Sequence, residues 1–120
     1  MVCAKAILEN KKATQLILTL CDFNDNTFEI IIDAICKRKN KFTYVDISFN
    51  QYLTSSSYNS LYKLIDSKKV DEINIARIDG ITLNKEHMVI LETLAKSHKI
   101  NLYIDDKTRA ELQLPSDMSF

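Results

Sequence analysis

Two histidines, three cysteines and one pair of adjacent aspartates are the residues of this 120-residue chain that first suggest reaction or metal chemistry. His87 and His98 fall on one predicted helix, about three turns or 16 Å apart, too far to share a metal ion. Cys3, Cys21 and Cys36 show no CxxC spacing. Cys21 is expected buried at a strand corner and Cys36 in a helix stripe, where thiols are inert. Asp105-Asp106 reads as a strand-end turn rather than a cation site. The chain has no GxGxxG, Walker, HExxH or GxSxG pattern. Neither an enzyme nor a cofactor or metal is therefore expected.

Recognition chemistry is better represented. Tyr44, Asp46, Phe49, Asn74, Arg77, Tyr103 and Asp105 combine aromatic rings, a guanidinium and carboxylates, types that anchor protein contacts at little cost in side-chain freedom. Their spacing adds to this. Ile17, Asp46, Asn74 and Tyr103 are separated by 29, 28 and 29 positions, and so are Gln15, Tyr44, Glu72 and Asn101. Thr19, Ser48, Ala76 and Asp105 repeat the same steps, with Phe49 and Arg77 just beyond. Stacked units of equal length would turn these series into three exposed columns on one sheet face.

The elements that would position them follow from periodicity. Alternating β-like runs are expected at Gln15 to Leu20, Thr43 to Ser48, Glu72 to Ala76 and Asn101 to Asp105. Between them the apolar spacing is three and four, as in Phe28, Ile31, Ile32, Ile35, then Tyr58, Leu61, Leu64, Ile65, then Met88, Leu91, Leu94, Ala95. Asn26-Thr27, Ser55-Ser56-Ser57 and Asn84 precede these helices as capping residues. Val2 to Asn10 looks like the end of a further helix. Alternating strands and helices imply parallel pairing through helical crossovers. Phe42-x-x-Val45-x-Ile47-x-x-Asn50 superposes on Val70-x-x-Ile73-x-Ile75-x-x-Ile78 at a shift of 28, and Leu53-Thr54 on Ile81-Thr82 at the same shift. An internal repeat is the simplest account, because crossovers of an ordinary doubly wound sheet vary in length.

Leu16-x-Leu18-x-x-Cys21-x-Phe23 and Val45-x-Ile47-x-x-Asn50 resemble the leucine-rich repeat signature, and units of 28 and 29 residues with a full helix are similar to its ribonuclease-inhibitor-like class. The resemblance covers residues 13–105. Ile78 stands where the family has Asn or Cys, and Leu53 and Ile81 take the next apolar position one residue late. The resemblance implies an α/β right-handed solenoid, with a parallel sheet on its concave face and helices on its convex face. It implies a single domain over residues 1–120, with repeats 13–41, 42–69 and 70–98 and a partial unit 99–105. Residues 1–12 would end an N-terminal helix, and 106–120 would form a tail or cap. Asn50 and Cys21 are expected to serve buried backbone groups at the corners, a task Ile78 cannot perform. The family usually binds proteins on the concave face, which implies a protein partner at the seven residues named above and no catalysis.

A second resemblance competes. Tyr44 to Ser48, then Ser55-Ser56-Ser57 ahead of a helix, is similar to the phosphorylatable loop of the sulfate-transporter and anti-sigma-antagonist domain, a regulatory domain switched by serine phosphorylation. The glycine after the serine in that family is replaced by Tyr58, and its N-terminal strand pair has no counterpart here.

Composition bounds the rest. At 46% hydrophobic and 27% charged residues, with one Gly and one Pro, the chain is neither disordered nor collagen-like. Sixteen basic and sixteen acidic residues cancel, which gives no global pull toward nucleic acid. No run approaches a membrane span and no signal-peptide pattern opens the chain. With an odd cysteine count, these features point to the cytoplasm, or the host cytoplasm for a delivered effector. Lys11-Lys12, Lys37-Arg38-Lys39, Lys41, Lys68-Lys69, Lys96, His98 and Lys99 cluster near helix ends, where cations complement the dipole. Asp22, Asp25, Asp79 and Glu86 fall toward the other edge. The last strand would leave an open edge able to pair with another copy, unless the tail covers it.

Overall fold

Side chains two apart on a strand share a face, so Leu16 with Leu18, Val45 with Ile47, Ile73 with Ile75 and Leu102 with Ile104 make each segment amphipathic. The computed structural model describes Ile7, Asn10, residues 12–78 and residues 84–112. These segments form strands β1 (Gln15–Ile17), β2 (Phe42–Asp46), β3 (Val70–Asn74) and β4 (Asn101–Tyr103). All neighbours are parallel, and the order across the sheet is the order along the chain. Leu16 pairs with Val45, Val45 with Ile73 and Ile73 with Leu102, as the repeat spacing requires.

The strands stop earlier than alternation alone suggests, β1 at Ile17 and β2 at Asp46. Single ladder bonds continue past these ends: Leu18 N–H to Asp46 O at 2.7 Å, Ile47 N–H to Asn74 O at 3.0 Å and Ile75 N–H to Tyr103 O at 3.0 Å. Extension then ends in left-handed backbone at Leu20, Phe49 and Arg77, with φ of 56°, 59° and 60°. They occupy the same place in successive units. Without glycine, each costs about 1–2 kcal/mol. Hydrogen bonds across to the next unit hold them: Leu20 N–H to Ser48 O at 3.4 Å, Phe49 N–H to Ala76 O at 3.0 Å and Arg77 N–H to Asp105 Oδ1 at 3.3 Å.

Helix α1 (Asp25–Lys37) is capped by Asn24, whose side chain accepts from Thr27 N–H at 2.8 Å. The cap thus lies two residues before the expected Asn26-Thr27. A 3₁₀ turn (Ser55–Ser57), capped by Thr54, leads into α2 (Tyr58–Asp66), so the serines do not cap α2 through their side chains. Helix α3 (Lys85–Ser97) is capped by Asn84 as expected, and α4 (Asp106–Leu112) follows Asp105. Phe28, Ile31, Ile32 and Ile35 of α1, Leu61, Leu64 and Ile65 of α2, and Met88, Leu91 and Ala95 of α3 join the apolar strand residues in one core. Burying each large aliphatic side chain is worth about 1.5–3 kcal/mol. Packing runs in sequence, α1 on α2 and α2 on α3, while the other sheet face meets solvent. The result is a mixed α/β fold with a four-stranded parallel sheet and, among the described residues, four helices. None of them is long and apolar enough to cross a membrane. The expected N-terminal helix, Ile81-Thr82 and the end of the tail fall largely outside the described residues, apart from a helical Ile7.

At the corner after β2, Asn50 is fully buried. Its Oδ1 accepts the N–H of Cys21 at 3.0 Å, and its Nδ2 donates to Leu18 O at 3.0 Å and Ile47 O at 2.8 Å. One side chain therefore satisfies three backbone groups in two units. Cys21 itself is exposed, which corrects the expected burial: the corner uses its backbone and sends its thiol outward. Leu53 is buried and Tyr52 exposed, so the one-residue shift expected there is observed. Asn50→Ala should lower unfolding free energy by about 2–4 kcal/mol, measured by urea denaturation, because buried donors and acceptors lose their partner. Asn50→Asp should fail to restore it, since a carboxylate cannot donate to the two carbonyls.

Candidate functional site

Register places the expected columns side by side on the solvent face of the sheet. Ile17 pairs with Asp46, Asp46 with Asn74 and Asn74 with Tyr103, while Gln15, Tyr44, Glu72 and Asn101 form the adjoining row. Hydrogen bonds stitch the centre. Tyr44 Oη donates to Asp46 Oδ2 at 3.4 Å and accepts from Asn74 Nδ2 at 3.3 Å. Asp46 Oδ1 accepts from the N–H and Oγ of Ser48 at 2.9 and 2.6 Å, and Asn101 donates to Glu72 at 3.1 Å. Fixing these rotamers in advance reduces what a partner would have to order. Ile17 at 52% exposure and Tyr103 at 46% flank this polar centre, and Phe49 at 50% stands beyond it.

Not every expected member belongs to this face. Ser48 and Ala76 are buried, because the chain is already turning where their column was expected to stay open. Asp105 works as a cap: it accepts from Thr108 N–H at 3.1 Å, from Thr108 Oγ1 at 2.7 Å and from Arg77 N–H. Burial pushes its carboxyl up, but these hydrogen bonds outweigh that and hold it below the ordinary 3.8. The Arg77 guanidinium lies 4.0 Å from it, so Arg77 and Asp105 form a pair at the sheet's end. Arg38 leaves the basic rim altogether. At 2% exposure it donates to Asn10 O and Ala13 O, and its guanidinium lies 3.8 Å over the Phe42 ring. Burial of a guanidinium needs partners of this kind. Lys37, Lys39, Lys68 and Lys99 remain exposed at the helix ends, and Lys41 meets Asp71 at 2.7 Å.

The groups suited to reaction chemistry are dispersed. The His87 ring stacks on Tyr58 at 3.9 Å, and His98 Nε2 contacts Asp66 at 3.0 Å. Among the described residues no three His, Cys, Asp or Glu side chains gather as a metal site. Ser57 is buried with its Oγ on Asp25, while Ser55 and Ser56 are exposed. On the helical side, an open groove of about 330 Å³ between α2 and α3 is lined by Tyr62, Val89, Ile90, Thr93, Leu94 and Ser97.

Two polar contacts escaped the reading of the sequence. Asp25, assigned only to an acidic edge, accepts from Thr54 N–H, Thr54 Oγ1 and Ser57 Oγ and so clips one unit to the next. Glu92 of α3 is buried and meets Arg109 of α4 at 2.9 Å, which folds the tail helix back onto α3. The signal for the second was present, since Glu92 falls within the apolar stripe of Met88, Leu91 and Ala95.

Compared with known proteins, the chain matches no family model and no solved structure. It is similar to Protein TIC 214 of Arabis hirsuta, at 30% identity over 99 residues, which cover 80% of this chain and 5% of that protein. The chain thus spans about one twentieth of the length of that relative.

Partial burial raises the Asp25 carboxyl, and the hydrogen bonds from Ser57 and Thr54 more than reverse it, leaving it below the ordinary 3.8. A depressed carboxylate stabilises the fold above its unfolded pKa and loses that contribution as pH falls through its folded value. Asp25→Asn should therefore cost about 1 kcal/mol at pH 7, allowing for solvent screening. The gap to the parent should close as pH drops below the ordinary value, when thermal unfolding is followed across pH 7 to pH 2.

Proposed function

We propose that the chain is a short leucine-rich-repeat solenoid of the ribonuclease-inhibitor-like class, and that it acts as a protein-interaction module without catalysis. The observation that carries this reading is the in-register row Ile17, Asp46, Asn74 and Tyr103 on the open sheet face. Strand order that follows chain order, equal unit lengths and a buried corner asparagine support the repeat assignment. On this reading the open face is concave. Ile17 and Tyr103 supply apolar contact at its ends, and the Tyr44–Asp46–Asn74 network supplies oriented polar groups between them. Phe49 and Arg77 extend the surface past the strands, with Asp105 holding Arg77 in place. The partner is a protein rather than a nucleic acid, and the module works in the cytoplasm, either of its own cell or of a host. Its place in a larger assembly is that of an adaptor or effector-type unit.

The phosphoserine-switch reading has less support. Ser57 is buried and already bonded to Asp25, which leaves Ser55 and Ser56 as the accessible hydroxyls. Mass spectrometry of protein from its native cell separates the two readings, because phosphate at Ser55 or Ser56 belongs to the switch alone.

For the docking face, Tyr44→Ala combined with Tyr103→Ala should reduce partner capture by about 30-fold or more, the usual consequence of losing one strong anchor. The circular dichroism spectrum should be unchanged. Undiminished capture by the double variant would move the contact to the helical groove or to the lysine-rich ends of the helices.

A further inference from the structure

A parallel sheet of four strands has two outer edges, and they differ here. At β4, Tyr103 O accepts from Ile75 N–H, so the intervening residues Leu102 and Ile104 turn their backbone groups outward. The side chains of those two residues face the core, where they are only 7% and 2% exposed. At β1, Leu18 N–H reaches Asp46 O, which turns the N–H and C=O of Gln15 and Ile17 away from the sheet. Among the described residues no strand pairs on that side. Gln15 is exposed, and Ile17 is 52% exposed.

The sequence of this edge is equally unusual. Residues 13–21 read Ala-Thr-Gln-Leu-Ile-Leu-Thr-Leu-Cys, with no charge and no proline. Open edges are normally guarded by charge, by proline or by a bulge. The two inner strands, by contrast, carry charge, Asp46 in β2 and Asp71 and Glu72 in β3. An unguarded, neutral strand has no electrostatic penalty against meeting itself.

We propose that β1 pairs antiparallel with β1 of a second copy about a two-fold axis at Ile17, joining two sheets into one of eight strands. Ile17 faces Ile17 of the second copy as a hydrogen-bonded pair, and Gln15 faces Thr19 on either side. The two Ile17 side chains then cover one another on the open face, and the outward backbone groups gain partners. Edge pairing alone buries less than a standard interface, so association in the range of about 10–100 μM is expected. The pairing occupies Ile17, which the docking role also uses, but it is tested on the chain alone and holds or fails without a partner protein.

Sedimentation of the full chain over about 1–500 μM should show a shift from monomer to dimer centred in that range. Ile17→Lys should leave the chain monomeric throughout with an unchanged circular dichroism spectrum. Ile17→Thr, uncharged and β-branched, should still dimerise. Register is tested by Ile17→Cys in a chain whose Cys3, Cys21 and Cys36 are replaced by serine. Facing residues in a hydrogen-bonded antiparallel pair lie about 5.5 Å apart at Cα, within disulfide reach, so mild oxidation should give a covalent dimer. A monomer at every concentration would overturn the proposal, as would a dimer that survives Ile17→Lys or one that Val89→Lys in the helical groove abolishes. If Ile17→Lys does not fold, failure of Ile17→Cys to cross-link overturns the proposal on its own.

Discussion

A stack of parallel strands in chain order must turn sharply after every strand, and each turn strands backbone groups inside the protein. The Asn50 carboxamide resolves this between the first two units, taking one N–H and giving to two carbonyls across the corner. No other uncharged side chain of that length both donates and accepts in one plane without also lengthening the reach. The third unit has Ile78 at the same place, and at its strand end the carboxylate of Asp105 takes the N–H of Arg77, as Ser48 O and Ala76 O do for Leu20 and Phe49, while also capping α4. The sheet and the face it presents depend on these corners being satisfied.

The left-handed residues connect fold to surface. Leu20, Phe49 and Arg77 end the strands at one level, and the same backbone geometry throws their side chains outward beside the open face. Leu20 is 70% exposed and Phe49 half exposed, so the units display a large side chain where glycine would serve the turn better. The single glycine of the chain lies elsewhere, at position 80. Lysines take the comparable left-handed positions after α2 and α3, at Lys68 and Lys99.

Much of this arrangement was legible from spacing. Steps of 28 and 29 residues placed Asp46 beside Asn74 and Tyr44 beside Glu72 correctly, because parallel register leaves no freedom once unit length is constant. The helix stripes were equally plain, since three-and-four spacing has one buried face. What escaped notice depends on contacts far apart in the chain with no periodic mark. Arg38 reads as one of a basic run, yet it is drawn inward by the carbonyls of Asn10 and Ala13 and by the Phe42 ring. Asp105 reads as a contact residue until the helix that follows it is known. Cys21 matches the corner pattern by type, but the acceptor that the corner needs comes from Asn50, and the exposed thiol donates instead to Thr19 O at 3.6 Å.

The polar bridges between units share a short reach. Cys21 to Asn50 and Asp25 to Thr54 each span 29 positions, Asp33 to Lys63 spans 30, and Asp66 to His98 spans 32. Each ties a unit only to its immediate neighbour. On the proposed solenoid reading, cohesion of this kind behaves like a zipper: heat or denaturant should loosen the outermost rungs while the middle holds, with amide protons of β2 and β3 exchanging last. Adding or removing a rung would then alter how sharply the whole molecule melts more than it alters any one rung.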